Sequence, residues 1–237
     1  METREEIGKW YDDFAEHQVR TDVNLRHYRI MEFLVRAGLK RESKVLEIGC
    51  GIGTLTGLLA KYVRRGEIVA ADISAESVST ARRRLSRHRN VDFQVTDMTD
   101  FSHPGTFDFI VLPDVLEHIP LEQHRNLFNT LANHMHPDSV ILIHIPHPRA
   151  LDYLRDSSPD RMQIIDQSLE ADILTGNAYA AGLELVSYFS YSLFDRKHDY
   201  ALITLRKRGA VTLSPLPRAR IIVLKLLSRL RFLVSRL

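Results

Sequence analysis

Residues 44–57 read Lys-Val-Leu-Glu-Ile-Gly-Cys-Gly-Ile-Gly-Thr-Leu-Thr-Gly. Val45, Leu46 and Ile48 make an apolar run broken only by Glu47, and the run ends in three alternating glycines, Gly49, Gly51 and Gly53. Ile52, Leu55, Leu58, Leu59 and Val63 then recur at helical spacing. The pattern predicts a buried strand, a tight turn and a helix. Glycine lets the backbone turn sharply and lets a ligand approach closely. The helix amino terminus adds free N–H groups and a partial positive charge. A dinucleotide-binding turn would need G-x-G-x-x-G, and Thr54 stands where its last glycine belongs.

Three more apolar runs follow, each ending in polar residues. Ile68–Ala71 ends in Asp72, one helix and one strand after Gly53; Val91–Val95 ends in Thr96, Asp97 and Met98. Phe107–Leu112 ends in Pro113 and Asp114, then Val115-Leu116-Glu117-His118-Ile119. Val140–Ile145 reads as a fifth strand after a turn at 136–139, and it runs into Pro146-His147-Pro148-Arg149. A helical region is expected over about 161–181, with Gly182 as its stop, then two strands near 184–191 and 199–206. Ser74 reads as the N-cap of the helix after the second strand. Strands alternating with helices predict a parallel sheet covered on both faces.

The form E-x-G-x-G-x-G resembles motif I of the class I S-adenosylmethionine (SAM)-dependent methyltransferases, and the likeness runs over roughly residues 9–207. The resemblance implies an α/β fold: a doubly wound, mostly parallel seven-stranded sheet with a closing antiparallel hairpin. Two helices near 3–18 and 23–37 would precede the sheet. It implies SAM as cofactor and S-adenosylhomocysteine as product. The glycine loop, Glu47 and Gly49–Gly53 with Cys50 among them, would pass under the amino-acid end of the cofactor. Asp72, followed by Ile73, would accept from two ribose hydroxyls. Asp97 would accept from the adenine amino group, with Met98 against the ring. Pro113, Asp114 and His118 would complete the cofactor side. Tyr11-Asp12-Asp13-Phe14-Ala15 resembles an opening in which the tyrosine lies over the cofactor. Arg26 or Arg29 would pair with the cofactor carboxylate, because a guanidinium fork matches that anion; a solvated helix face is the plainer reading of either.

Methyl transfer to an alcohol needs alignment and removal of a proton. The bases available near the carboxyl ends of the central strands are His118, His144, His147, Asp114 and Asp166, with His144, His147 and Asp166 the catalytic candidates. Histidine titrates near neutrality. Alternation along the fifth strand requires only one of His144 and His147 to face the acceptor. Residues 161–167 and 193–200 resemble methyltransferases of glycan pathways, which implies a sugar hydroxyl as acceptor. A quinone or lipid acceptor, RNA, and a catalytically silent SAM-binding module are the alternatives.

Composition sets the remaining limits. One cysteine in 237 residues excludes a disulfide framework, and zinc spacings are absent, so no metal is expected. Charged residues interrupt any amino-terminal apolar run, so a cytoplasmic protein is expected. The chain carries a formal +2; Arg218, Arg220, Lys225, Arg229, Arg231 and Arg236 put +6 in residues 210–237, leaving −4 for residues 1–209. A mildly acidic body argues against a nucleic-acid partner. The expected organisation is a helical cap over 1–40, a SAM-binding domain over 41–209 and a basic amphipathic helix over 210–237. Val223, Leu226, Leu227, Leu230, Leu233, Val234 and Leu237 make its apolar stripe. Such a helix suits peripheral contact with an anionic membrane face through 218–237, or packing on the body or in a homo-oligomer.

Overall fold

The computed structural model describes residues 23–99, 101–159, 162–163, 165–210 and 213–234. The helix expected near 3–18 and Tyr11 lie outside the described residues. The first described helix, α1, is Leu25–Arg36. Then come β1 (Lys44–Ile48), α2 (Thr54–Tyr62), β2 (Glu67–Asp72), α3 (Ala75–Arg84), β3 (Val91–Val95) and β4 (Phe107–Pro113). A single 3₁₀ turn, Leu116–His118, leads to α4 (Leu121–Asn133) and β5 (Met135–Pro146). The chain continues through α5 (Pro148–Ser157), α6 (Ala171–Ala180), β6 (Leu183–Tyr191), β7 (Tyr200–Lys207) and α7 (Arg218–Val234).

The seven strands form one sheet in the order β3-β2-β1-β4-β5-β7-β6. β1 to β5 pair in parallel, while β7 runs antiparallel to β5 and to β6. This is the doubly wound sheet with its closing hairpin. β1 pairs with β2 on one side and β4 on the other, so the chain reverses its winding there. The carboxyl ends at such a switch point leave a crevice between diverging loops.

Both faces of the central strands are covered, which is why they read as continuous apolar runs. Val45, Ile68, Phe109, Val111 and Leu142 pack with Ile30 and Leu34 of α1 and Leu55 and Leu59 of α2. Leu46, Val69, Ile110, Ile141 and Ile143 pack on the other face with Phe128 of α4 and Leu174 of α6. Ser74 caps α3 by accepting from Ser77 N, and Gly182, at φ +74°, follows the end of α6.

Two expectations about the second half are corrected. No single helix fills 161–181. Instead α5 starts at Pro148 and α6 at Ala171, because Pro148 is preset for a first helical turn and His147 caps it. Residues 136–139 are not a turn ahead of the fifth strand but a bulge within β5. The pairing with β4 shifts between Phe107 and Phe109, and the Ser139 hydroxyl, which donates to the Phe107 carbonyl, holds the shift in place.

Candidate active site

A cavity of about 590 Å³ opens at the switch point, within the usual range for small-molecule sites. The glycine turn forms its floor. Gly49, Gly51 and Gly53 have φ of +71°, +51° and +81°, conformations that L side chains avoid. Gly49 has a second requirement: a Cβ there would sit 2.0 Å from Val115 Cγ2. Gly49 N and Cys50 N both donate to the Ala71 carbonyl, which ties the turn to the end of β2. Asp72 finishes the turn, accepting from Gly51 N at 2.7 Å and Ser74 N at 2.9 Å.

Ile73, Asp97, Met98, Pro113, Asp114 and His118 also line the cavity. Met98 and Asp114 are the two positive-φ residues other than glycine among the described residues, at +69° and +55°. Such strain collects at ligand sites, where the surrounding structure over-determines it. Cys50 is buried, and burial pushes its thiol pKa up, which disfavours the thiolate a nucleophile needs. Glu47 is 1% exposed and lines the cavity with both carboxylate oxygens unpartnered. Burial raises its pKa to about 8, and the charge of Asp72 adds to the rise.

Arg26 comes from α1 and lines the same cavity, but its charge is already engaged: Nη1 lies 2.8 Å from Asp114 Oδ2. Arg29 does not reach the cavity and pairs with Glu32 at 2.8 Å. Asp114 meets His144 on its other oxygen, with Oδ1 2.8 Å from Nδ1. Burial opposes the Asp114 charge, yet Arg26 and His144 hold its pKa below the usual carboxylate range. His27, also on the wall, has its pKa lowered to about 4 by burial and by Arg26, so it is neutral at pH 7.

The structure moves all three expected catalytic groups away from the cavity wall. His144 is 0% exposed; its Nε2 is 2.6 Å from the Tyr191 hydroxyl, and its ring stacks on Tyr200 at 4.8 Å. Strand parity explains this: Val140 and Leu142 pack on the α1 side, and His144 follows them at the same period of two. His147 caps α5, accepting from Arg149 N, while its own N–H donates to the Asp199 carbonyl. Asp166 accepts from Gln163 N and lies 3.1 Å from His118 Nδ1.

Besides His27, the structure places the His118 imidazole at the cavity. Its Nδ1 lies 2.6 Å from the Ile165 carbonyl, which only accepts, so Nδ1 carries the proton. Nε2 lies 3.8 Å from Glu117 Oε1. Burial opposes a charge on this ring, but Glu117, Asp166 and the Ile165 carbonyl outweigh it and raise the His118 pKa to about 9. Burial likewise raises Glu117 to about 8. Val115, Gln123 and Gln163 complete this side, and the sequence reading did not single them out. Only Val115 left a signal, as the first residue beyond Asp114 in the segment that faces the glycine turn.

Residues 45–138 match the family model described as a methyltransferase domain. The match runs from β1 into β5, about 40% of the chain, and makes that stretch similar to a methyltransferase domain. Over 121 residues the chain is 31% identical to trans-aconitate 2-methyltransferase of Mycobacterium tuberculosis, covering 51% of this chain and 44% of that protein. Over 115 residues it is 30% identical to the ubiquinone biosynthesis O-methyltransferase of Thiobacillus denitrificans, covering 47% of each. The match thus spans less than half the length of those curated relatives. Magnesium protoporphyrin IX methyltransferase of Synechocystis PCC 6803, solved with bound S-adenosylhomocysteine, superposes with a TM-score of 0.68. It covers 86% of this chain and 100% of its own at 18% identity. The glycopeptide N-methyltransferase MtfA superposes at 0.62 and 15% identity, covering 77% of this chain and 90% of its own. These structural likenesses show the fold.

The Synechocystis enzyme is also solved with bound SAM, and the cavity of this chain fits SAM. The glycine turn brings backbone to the cavity, Asp72 lies on its wall, and Glu47 faces in with both carboxylate oxygens lacking a hydrogen bond. Among the described residues no group of three or more His, Cys, Asp or Glu could hold a metal ion.

Proposed function

We propose that the chain is a SAM-dependent methyltransferase that methylates a hydroxyl of a small polar acceptor, a sugar hydroxyl first. When bound, SAM supplies an activated methyl group on a sulfonium. Gly49–Gly53, Glu47, Asp72, Asp97 and Met98 hold it, and Arg26 keeps Asp114 ionised beside it. The single observation that carries the acceptor class is the charge of the wall. Asp72 and Asp97 put two acids on the cavity wall, Glu47 there holds its proton at neutral pH, and the one arginine is paired with Asp114. A polycarboxylate acceptor finds each cationic group already facing a carboxylate, Arg26 facing Asp114 and His118 facing Glu117 and Asp166; a neutral polyol finds acceptors and the amides of Gln123 and Gln163.

His118 takes the role expected of His144 or His147. With Nδ1–H held by the Ile165 carbonyl and Asp166, Nε2 takes the acceptor proton, and Glu117 stabilises the imidazolium that results. An amine acceptor is the second reading, favoured by the same carboxylates, which suit a cation.

Calorimetry with SAM and with NAD tests the ligand: SAM binds and NAD does not, and the reverse overturns the reading. Asp72→Ala weakens SAM by about 1–3 kcal/mol, the scale of hydrogen bonds lost from a buried polar group. Turnover of methyl-labelled SAM against glycosides, quinols, carboxylic acids, amines and RNA tests the acceptor. Label only in carboxylic acids or RNA rejects the proposal. The rate rises with pH towards about 9, where the His118 ring loses its proton, and His118→Asn removes that rise while SAM affinity is kept.

A further inference from the structure

The last described helix contributes nothing to the site or the core. From Arg218 to Leu233 every residue of α7 is exposed, Leu226 at 55% and Leu230 at 59%. Pro215 and Pro217 separate it from the sheet, and the Pro217 carbonyl accepts from Arg220 N at its start. Burying a leucine is worth about 1.5–3 kcal/mol, so a helix that leaves this many apolar side chains in water lacks its partner.

The order of residues around the helix says what that partner is. At 3.6 residues per turn, Ile222, Leu233, Leu226, Leu230, Val223 and Leu227 follow one another over an arc of about 140°. Arg218 and Arg229, with Lys225 beyond them, border one edge of the arc; Arg220 and Arg231 border the other. Ser228 lies on the opposite side, between Leu224 and Ile221. Residues 210–237 hold no acid. Long basic side chains on both edges of an apolar arc can reach upward while the arc is submerged. Seventeen residues span about 25 Å, less than the ~30 Å hydrocarbon core, and no helix among the described residues is long and apolar enough to cross a membrane.

We propose that α7 is an interfacial anchor that lies flat in an anionic lipid surface, its leucine arc among the acyl chains and its arginines among the lipid phosphates. A second copy of the chain would present the same row of arginines to itself, and like charges would face each other along the whole contact. An anionic bilayer satisfies both the apolar arc and the charge at once. The inference does not rest on the proposed chemistry, since the cavity and α7 share no residue.

The test is co-sedimentation of the full chain with vesicles of phosphatidylcholine alone and with about 30% phosphatidylglycerol. The full chain sediments with the anionic vesicles, less so as salt rises and little with the neutral ones. Each Arg→Gln at 220, 229 or 231 lowers partition by roughly fivefold. The exposed pair Leu226→Asp and Leu230→Asp abolishes it without changing SAM affinity or the melting temperature. Failure to sediment overturns the proposal, as does equal sedimentation with both lipids. Binding that survives the two aspartates but needs the arginines marks a polyanion such as RNA and overturns it. A dimer that those aspartates split, with no vesicle binding in the parent, marks a second copy and overturns it.

Discussion

The two ends of the sheet's carboxyl edge behave differently. At β1 and β2 the ligand-facing groups are contiguous in sequence: the glycine turn, Asp72 and its neighbours reach the cavity by local backbone geometry alone. At β4 and β5 the polar side chains face one another instead. Arg26, Asp114, His144, Tyr191 and Tyr200 come from five separate segments and form one partly buried network beside the cavity, with His144 at its centre. The first region is built by turn chemistry and presents acceptors outward. The second is built by tertiary pairing, and its charges mostly neutralise each other. Substitutions at the two ends should therefore fail in different ways.

The largest effect belongs to the network. Arg26→Gln leaves Asp114 ionised and nearly buried with His144 and the more distant His118 to answer it, and should cost about 3 kcal/mol in urea unfolding. Adding Asp114→Asn removes the orphaned charge and should recover at least half. A double mutant no better than the single would show that the two groups do not act as a pair. Gly49→Ala attacks the other end, at about 2–3 kcal/mol, through its φ and the 2.0 Å approach to Val115. Val115→Ala should restore only part, because shortening that side chain relieves the contact but not the backbone strain.

Glu47 gives a pH signature of the turn. Its folded pKa of about 8 lies above the unfolded carboxylate value of about 4.3, so the native state holds a proton that the unfolded state releases. That contribution is full below about pH 4 and is lost as pH rises towards 8. Glu117 acts with the same sign. Asp114, depressed by Arg26 and His144, acts oppositely and only in the acid range. His27, lowered to about 4, acts oppositely up to about pH 6.5, and His118, raised to about 9, adds to the loss above it, so the parent chain should lose stability from about pH 6.5 to 8. Glu47→Gln should flatten that slope, its gain over the parent at pH 8 being on the order of 2 kcal/mol. An unchanged slope would place the proton elsewhere.

The same contrast explains what could be read in advance. The sheet, its strand ends and the cavity residues Glu47, Gly49, Cys50, Gly51, Ile73, Asp97 and Met98 were legible because each follows from neighbours in sequence. Gly182 and Ser74 were legible for the same reason. Which histidine meets the cavity was not, since it depends on partners 30 and 47 residues away. His144 looked free because its strand-end position resembles that of a ligand-facing residue. Period two along β5, followed back to Leu142, assigns it to the α1 side. The bulge at 136–139 was hidden because Pro, Asp and Ser there carry the composition of a turn.

His147 offers the smallest effect and the sharpest distinction. Its Nδ1 accepts from Arg149 N at the start of α5, and Pro148 already fixes the backbone of that first turn. His147→Ala therefore removes one capping bond, about 1 kcal/mol or less of stability. His147→Asn, which can cap in the same way, should restore most of it. Neither change should alter the dependence of rate on pH, because the ring lies outside the cavity wall. A general base at this position would behave otherwise: alanine and asparagine would lower kcat alike, by 100-fold or more, and neither would rescue the other. Parallel losses in both variants would move the proton-accepting step from the end of β4 back to the end of β5.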